Sequence, residues 1–114
     1  MPISIVEKSI EKSVLAELAK NRYGELVKAV VDIERGVMAI GGELHSDEEA
    51  LLLEEGSKQG NLWGINIYPD KEGEEFIEFD SMINLRPSHG NRSRGVNDPA
   101  IREKVKAIIN LLVM

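Results

Sequence analysis

Arg86, His89, Arg92 and Arg94 stand within nine residues of one another, in the stretch RPSHGNRSR. A guanidinium presents forked donors that match phosphate or carboxylate oxygens, so the chemistry this cluster offers is recognition of an anion. Asn84, Asn91 and His89 supply polar groups able to orient such a ligand. The stretch leads to a predicted helix start at Asp98 and Pro99, where free backbone N–H groups and the helix dipole favour negative charge. Asp98, as the N-cap, takes up some of those donors itself. The same arginines have a second use, which is to bridge to Glu78, Asp80 or the acids between positions 43 and 55 and so lock the loop or a dimer contact.

A second group of residues has metal or acid–base chemistry. Glu43 and His45 lie two apart, on one side of an extended segment. With Asp80 from another segment they form a candidate set for Mg²⁺ or Mn²⁺, and His45 and Asp80 are the candidate catalytic groups of a metal-assisted phosphoester hydrolase. No HExxH, GxxxxGK[ST] or GxGxxG pattern accompanies them. Ser88 and Ser93 have no activating base at triad spacing, and adjacency of Ser88 to His89 does not make one.

Charge is distributed unevenly. The chain carries 20 acids against 14 bases, net −6, which argues against general nucleic-acid binding. Residues 43–55 hold six acids and no lysine or arginine, and residues 70–80 hold six acids and one lysine. The basic loop is therefore an island, holding three of the six arginines. There is no cysteine, so disulfides, thiolate metal sites and cysteine nucleophiles are excluded, and a reducing cytoplasm suits the chain. No segment resembles a secretory leader or a membrane span.

The elements that must position these residues follow from periodicity. At 114 residues the chain is expected to be one domain, residues 1–114. Residues 3–6 suit a short strand. Ile10, Val14, Leu15, Leu18 and Ala19 fall at helical spacing, and Gly24 stops that helix. Val27 to Ile33 and Val37 to Ile40 flank the turn ERG as a β-hairpin. Ser46 and Glu49 read as a capping box opening a second helix, with Gly56 at its C-terminal turn. LWGINIYP reads as a strand, and FIEFDSMINLRP as a long alternating strand that pairs with it. Ile101, Val105, Ile108, Ile109 and Leu112 mark a final helix. These elements predict an α+β fold, with a mainly antiparallel sheet of four to five strands built from two hairpins and about three helices packed on one face. On that arrangement Lys28, Asp32, Asn66, Tyr68, Glu78, Asp80, Asn84 and Arg86 point away from the helices and form a polar sheet face beside the arginine loop. A solvated face with cross-strand ion pairs would carry much the same residues.

GGELH and INLRPSHGNRS, with the segments around them from about residue 27 to residue 112, resemble a family of small prokaryotic proteins known as a domain of unknown function. The resemblance implies a stand-alone cytoplasmic protein and assigns no activity and no functional residue.

Three readings follow. The leading one is a binding domain for a small anionic ligand, a nucleotide or phosphorylated metabolite, contacted by Arg86, Arg92 and Arg94 with Asn84, His89 and Asn91 orienting it. The second is the metal-assisted hydrolase. The third is a homodimer in which acidic and basic segments pair across a two-fold axis, with no small-molecule ligand.

Overall fold

The computed structural model describes residues 3–114. Among the described residues five strands form one sheet: β1 (Ser4–Val6), β2 (Val27–Asp32), β3 (Val37–Ile40), β4 (Leu62–Ile67) and β5 (Ile77–Glu78), in the order β1-β3-β2-β4-β5. Every pairing is antiparallel. The described residues also form three α-helices: α1 (Lys12–Arg22), α2 (His45–Glu54) and α3 (Pro99–Leu112). The fold is α+β, as the periodicities predict.

The first hairpin forms where expected, with Val31 opposite Met38 and Ala29 opposite Ile40. Gly36 takes the positive φ, +69°, that closes its turn. β4 lies on the other side of β2, pairing Lys28 with Asn66 and Val31 with Trp63. α3 begins as predicted: Asp98 caps it by accepting from the Ala100 N–H at 2.9 Å, and Pro99 occupies its first turn.

The helix layering differs from the prediction. α1 and α3 cover one face of the sheet, where Leu15, Ala19, Val105, Ile109 and Leu112 pack with Val27, Val31, Met38, Ile40, Trp63, Ile65 and Ile67. α2 covers the opposite face, where Leu52 packs with Val30, Val37, Ala39 and Leu62. The reason lies in two uninterrupted apolar runs, Ala29-Val30-Val31 and Val37-Met38-Ala39-Ile40. Strands apolar on successive residues present grease to both sides and must be covered on both. The expected polar sheet face is therefore only partly open. Asp32 and Asn66 are buried on it, and α2 lies across its middle.

The long last strand also departs from prediction. Pairing with β4 ends at Glu78, and Met82–Asn84 and Pro87–His89 form two 3₁₀ turns instead. Ser81 starts the first of them by accepting from the Ile83 N–H at 3.3 Å, a local bond that competes with the ladder. Strict alternation therefore fails beyond Glu78. Asn84 is fully buried while Leu85, expected inside, is 41% exposed.

Candidate functional site

The segment from Ser81 to Asp98 is knitted together by its own polar side chains. Asn84 reaches β4 and pairs with both backbone groups of Gly64, and its Nδ2 also donates to the Arg94 carbonyl at 2.9 Å. Gly64 accommodates this because it has no side chain: a Cβ there would stand 2.5 Å from the Ser81 hydroxyl oxygen. Arg86 and Asn91 exchange backbone hydrogen bonds, 2.7 Å and 3.1 Å, and so close the loop of four residues between them. Gly90, at φ +82°, makes the reversal possible. The Asn91 amide donates to the carbonyls of Asn84 and Gly95 at 2.7 Å and 2.8 Å, while its Oδ1 accepts from the Asn97 N–H at 2.8 Å. Both asparagines are thus held within the framework of the loop and are not free to orient a ligand. The buried asparagines of the segment are thus fully partnered, from within it and from β4.

Arg86 lies nine-tenths buried rather than on an open face. Its Nε donates to the Ile83 carbonyl at 3.1 Å and its Nη2 to the Leu62 carbonyl. The guanidinium carbon sits 4.6 Å from the centre of the Trp63 ring, a cation–π stack. Burial draws its pKa below the ordinary arginine value, and the Glu49 carboxylate, 3.9 Å from Nη2, pulls it back up. Nη1 has no acceptor among the described residues. Arg94 binds Asp80 at 2.7 Å. Two of the three arginines therefore find acidic partners within the chain, as the locking alternative predicts. Arg92 is exposed and carries no ion pair among the described residues.

Between this loop and the first turn of α3 lies a cavity of about 490 Å³, within the size range of small-molecule sites. Trp63, Arg86, His89, Asn97 and Ile101 line it, with Gln59 and Gly60 at its edge. Trp63 is only 6% exposed, and its indole N–H has no acceptor among the described residues. Trp63 reads from sequence as a core residue. It is one, and it also walls the cavity; alternation places a ring on a face but cannot show that the loop leaves a gap against it. Asn97 and Gln59 gave no sequence signal at all.

Glu43, His45 and Asp80 do not form the metal or catalytic centre anticipated from sequence. The Glu43 side chain is 73% exposed and turns to Arg22, 2.9 Å away. His45 is buried as the first residue of α2, and its Nε2 donates to the Ile65 carbonyl at 2.8 Å. Burial lowers its pKa, outweighing the backbone bond that raises it, so the ring is neutral with its proton committed to that carbonyl. Asp80 is held by Arg94. Among the described residues no group of three or more His, Cys, Asp or Glu side chains is arranged to hold a metal ion. Spacing of two residues places Glu43 and His45 on one side only while the chain stays extended, and α2 starts at His45.

The GGELH stretch instead seats α2. The Gly42 N–H donates to Glu48 Oε2 at 3.0 Å, and a Cβ on Gly42 would stand 2.9 Å from Glu48 Cγ. Glu48 is fully buried, and desolvation pushes its carboxyl up to about 9, so it is protonated at neutral pH. The Tyr23 hydroxyl donates to the Glu43 carbonyl, tying the same stretch to the end of α1. The predicted capping box is not made: Leu44 occupies the N-cap without a side-chain bond, and Glu49 approaches Arg86 instead.

Among the described residues no helix is long and apolar enough to cross a membrane. The family described as "Protein of unknown function (DUF5674)" matches residues 4–112. No curated protein and no solved structure matches the chain.

Proposed function

We propose that this chain, which belongs to the family described as protein of unknown function DUF5674, binds a small anionic ligand in the cavity between the Arg86–Asn91 loop and α3. The ligand class is a nucleotide or a phosphorylated metabolite. The observation that carries this reading is one cavity whose wall joins the forked donor Arg86 to the side chains of His89 and Asn97 against the Trp63 ring. Arg86 spends Nε and Nη2 on the Ile83 and Leu62 carbonyls, which leaves its Nη1 edge to donate to an oxyanion. His89 adds a further polar group from the loop, and exposed Arg92, outside the cavity wall but in the same segment, adds long-range attraction. Arg94, Asn84 and Asn91 act on the ligand only by fixing the loop. A cysteine-free acidic chain suits the reducing cytoplasm, and this reading puts the protein there.

Trp63 is the only tryptophan, so its emission reports on the cavity directly. Titration with a panel of nucleotides and sugar phosphates should shift both the emission and the melting temperature for at least one member. His89→Ala and Arg92→Ala should weaken that response while leaving the fold intact. A panel that moves neither signal, or variants that respond as the wild type does, would count against the proposal.

A further inference from the structure

α3 runs from the ligand cavity to a second hollow at its other end, of about 420 Å³. Lys12 from α1, Lys71 from the turn after β4 and Lys106 from α3 converge on it, over a floor that includes Phe76, Ile77 and Val113. Three lysines from three separate segments line one hollow in a chain of net charge −6, the Lys71 ammonium resting 5.4 Å from the centre of the Tyr68 ring beside it. Glu72 and Glu74 also border the hollow, and Glu75 and Glu103 stand beside Lys71 and Lys106, so what could favour an anion there is the weakness of these pairings and not a net charge.

The lysines are only loosely engaged. Lys71 Nζ is 3.8 Å from Glu75, and Lys106 Nζ is 3.5 Å from Glu103 and 3.9 Å from Glu74. All three carboxylates are at least 73% exposed, and pairs of that kind contribute little and exchange readily. Lys12 Nζ lies 5.1 Å above the Phe76 ring. Phe76, Ile77 and Val113 pack partly buried against the main core, so the apolar floor is anchored. The combination is three lysines at the rim, two of them held only by weak contacts to exposed carboxylates, over an apolar floor.

We infer that this hollow is a second binding site, for an organic anion with an apolar body, of the class of medium-chain alkyl carboxylates. The carboxylate sits among Lys12, Lys71 and Lys106, displacing the weak contact to Glu74, and the alkyl chain lies on Phe76 and Val113. Inorganic phosphate lacks the apolar body, and an alkylammonium carries the wrong charge. Ile101 borders the first cavity and Asn110 the second, nine residues or about 14 Å apart along the helix. The two sites are distinct.

The test is titration of ¹⁵N-labelled full chain with octanoate, with octylammonium and inorganic phosphate as controls, following amide shifts and Trp63 emission together. Octanoate should give saturable shifts at Gly73, Phe76, Lys106 and Val113 with no change in Trp63 emission, and neither control should do so. Lys71→Ala/Lys106→Ala, which removes two exposed or half-exposed side chains and leaves the floor, should weaken octanoate at least tenfold. Absence of saturable shifts, equal affinity in the double variant, or equally tight binding of octylammonium would overturn the inference. Because Trp63 reads the first cavity and the Phe76 amide the second, either site can fail without the other.

Discussion

Asn84 holds Gly64 by both of its backbone groups: Oδ1 accepts from the Gly64 N–H at 2.8 Å and Nδ2 donates to the Gly64 carbonyl at 2.9 Å. β5 pairs with β4 only at Asn66 and Ile67, so beyond that point a side-chain amide stands in for the missing neighbouring strand. This joint fixes where the arginine loop leaves the sheet. Asn84→Ala would strand buried backbone groups on β4 and free the Arg94 carbonyl. With about 1–3 kcal/mol for each buried group left unmet, a loss of about 2–4 kcal/mol is expected in urea unfolding. Asn84→Asp should not restore it, because a carboxylate cannot donate to the two carbonyls. An unchanged urea midpoint in Asn84→Ala would contradict the role.

Gly64 and Ser81 share one small space. Gly64→Ala places a methyl 2.5 Å from the Ser81 Oγ and 2.6 Å from its Cβ, so the first 3₁₀ turn must move away from β4. Overpacking of this sort costs about 1–3 kcal/mol. Adding Ser81→Gly, which removes both of those atoms, should recover part of that loss in a double-mutant cycle. Additive losses in the pair would show that the methyl meets something else.

Stability should depend on pH through Glu48 with a definite sign. Its folded carboxyl, near 9, lies above the ordinary 4.5, so the folded chain keeps a proton that the unfolded chain releases. That contribution is complete below pH 4.5 and is lost as pH rises toward 9, by at most about 1.4 kcal/mol per unit. Glu48→Gln cannot ionise. Between pH 6 and pH 8 the unfolding free energy of the variant should therefore gain on that of the wild type, by on the order of 1–3 kcal/mol. A difference constant with pH would refute this. His45 works in the other direction: burial lowers its pKa from 6.5, so its contribution is present above pH 6.5 and is lost as pH falls through the depressed value. His45→Gln should accordingly make the acid limb of the stability profile less steep.

Arg86 serves the framework as well as the cavity. Arg86→Lys keeps the charge but cannot fork to the Ile83 and Leu62 carbonyls or lie flat on Trp63. It should cost about 1–3 kcal/mol in unfolding experiments and shift the Trp63 emission even without ligand. Emission identical to the wild type would mean that the stack on Trp63 does not persist in solution.

Much of the architecture could be read from local pattern. The first hairpin, the Asp98–Pro99 helix start and the glycine stops at Gly24 and Gly56 were legible because each depends on a few neighbouring residues. The position of α2 was harder. Its signal was present in the apolar runs at Ala29–Val31 and Val37–Ile40, which alternation alone treats as noise. The end of β5 was not legible, because Ser81 and Asn84 act through hydrogen bonds whose partners lie up to 20 residues away. For the same reason the arginine loop announced its chemistry without its wiring. Composition showed which side chains seek anions; only tertiary contacts show that Arg86 and Arg94 have already found carbonyl or carboxylate partners.

The outermost strands are the shortest but one in the sheet and the shortest: β1 has three residues and β5 has two. A sheet margin exposes unpaired amides and carbonyls that invite another chain to add on. Here neither margin offers more than a few consecutive residues, and beyond β5 the Asn84 side chain already occupies the bonding positions of Gly64. The molecule can thus bury a nearly all-apolar centre, Val30 and Val31 included, and still give a misfolded or neighbouring strand little purchase for stacking into fibres.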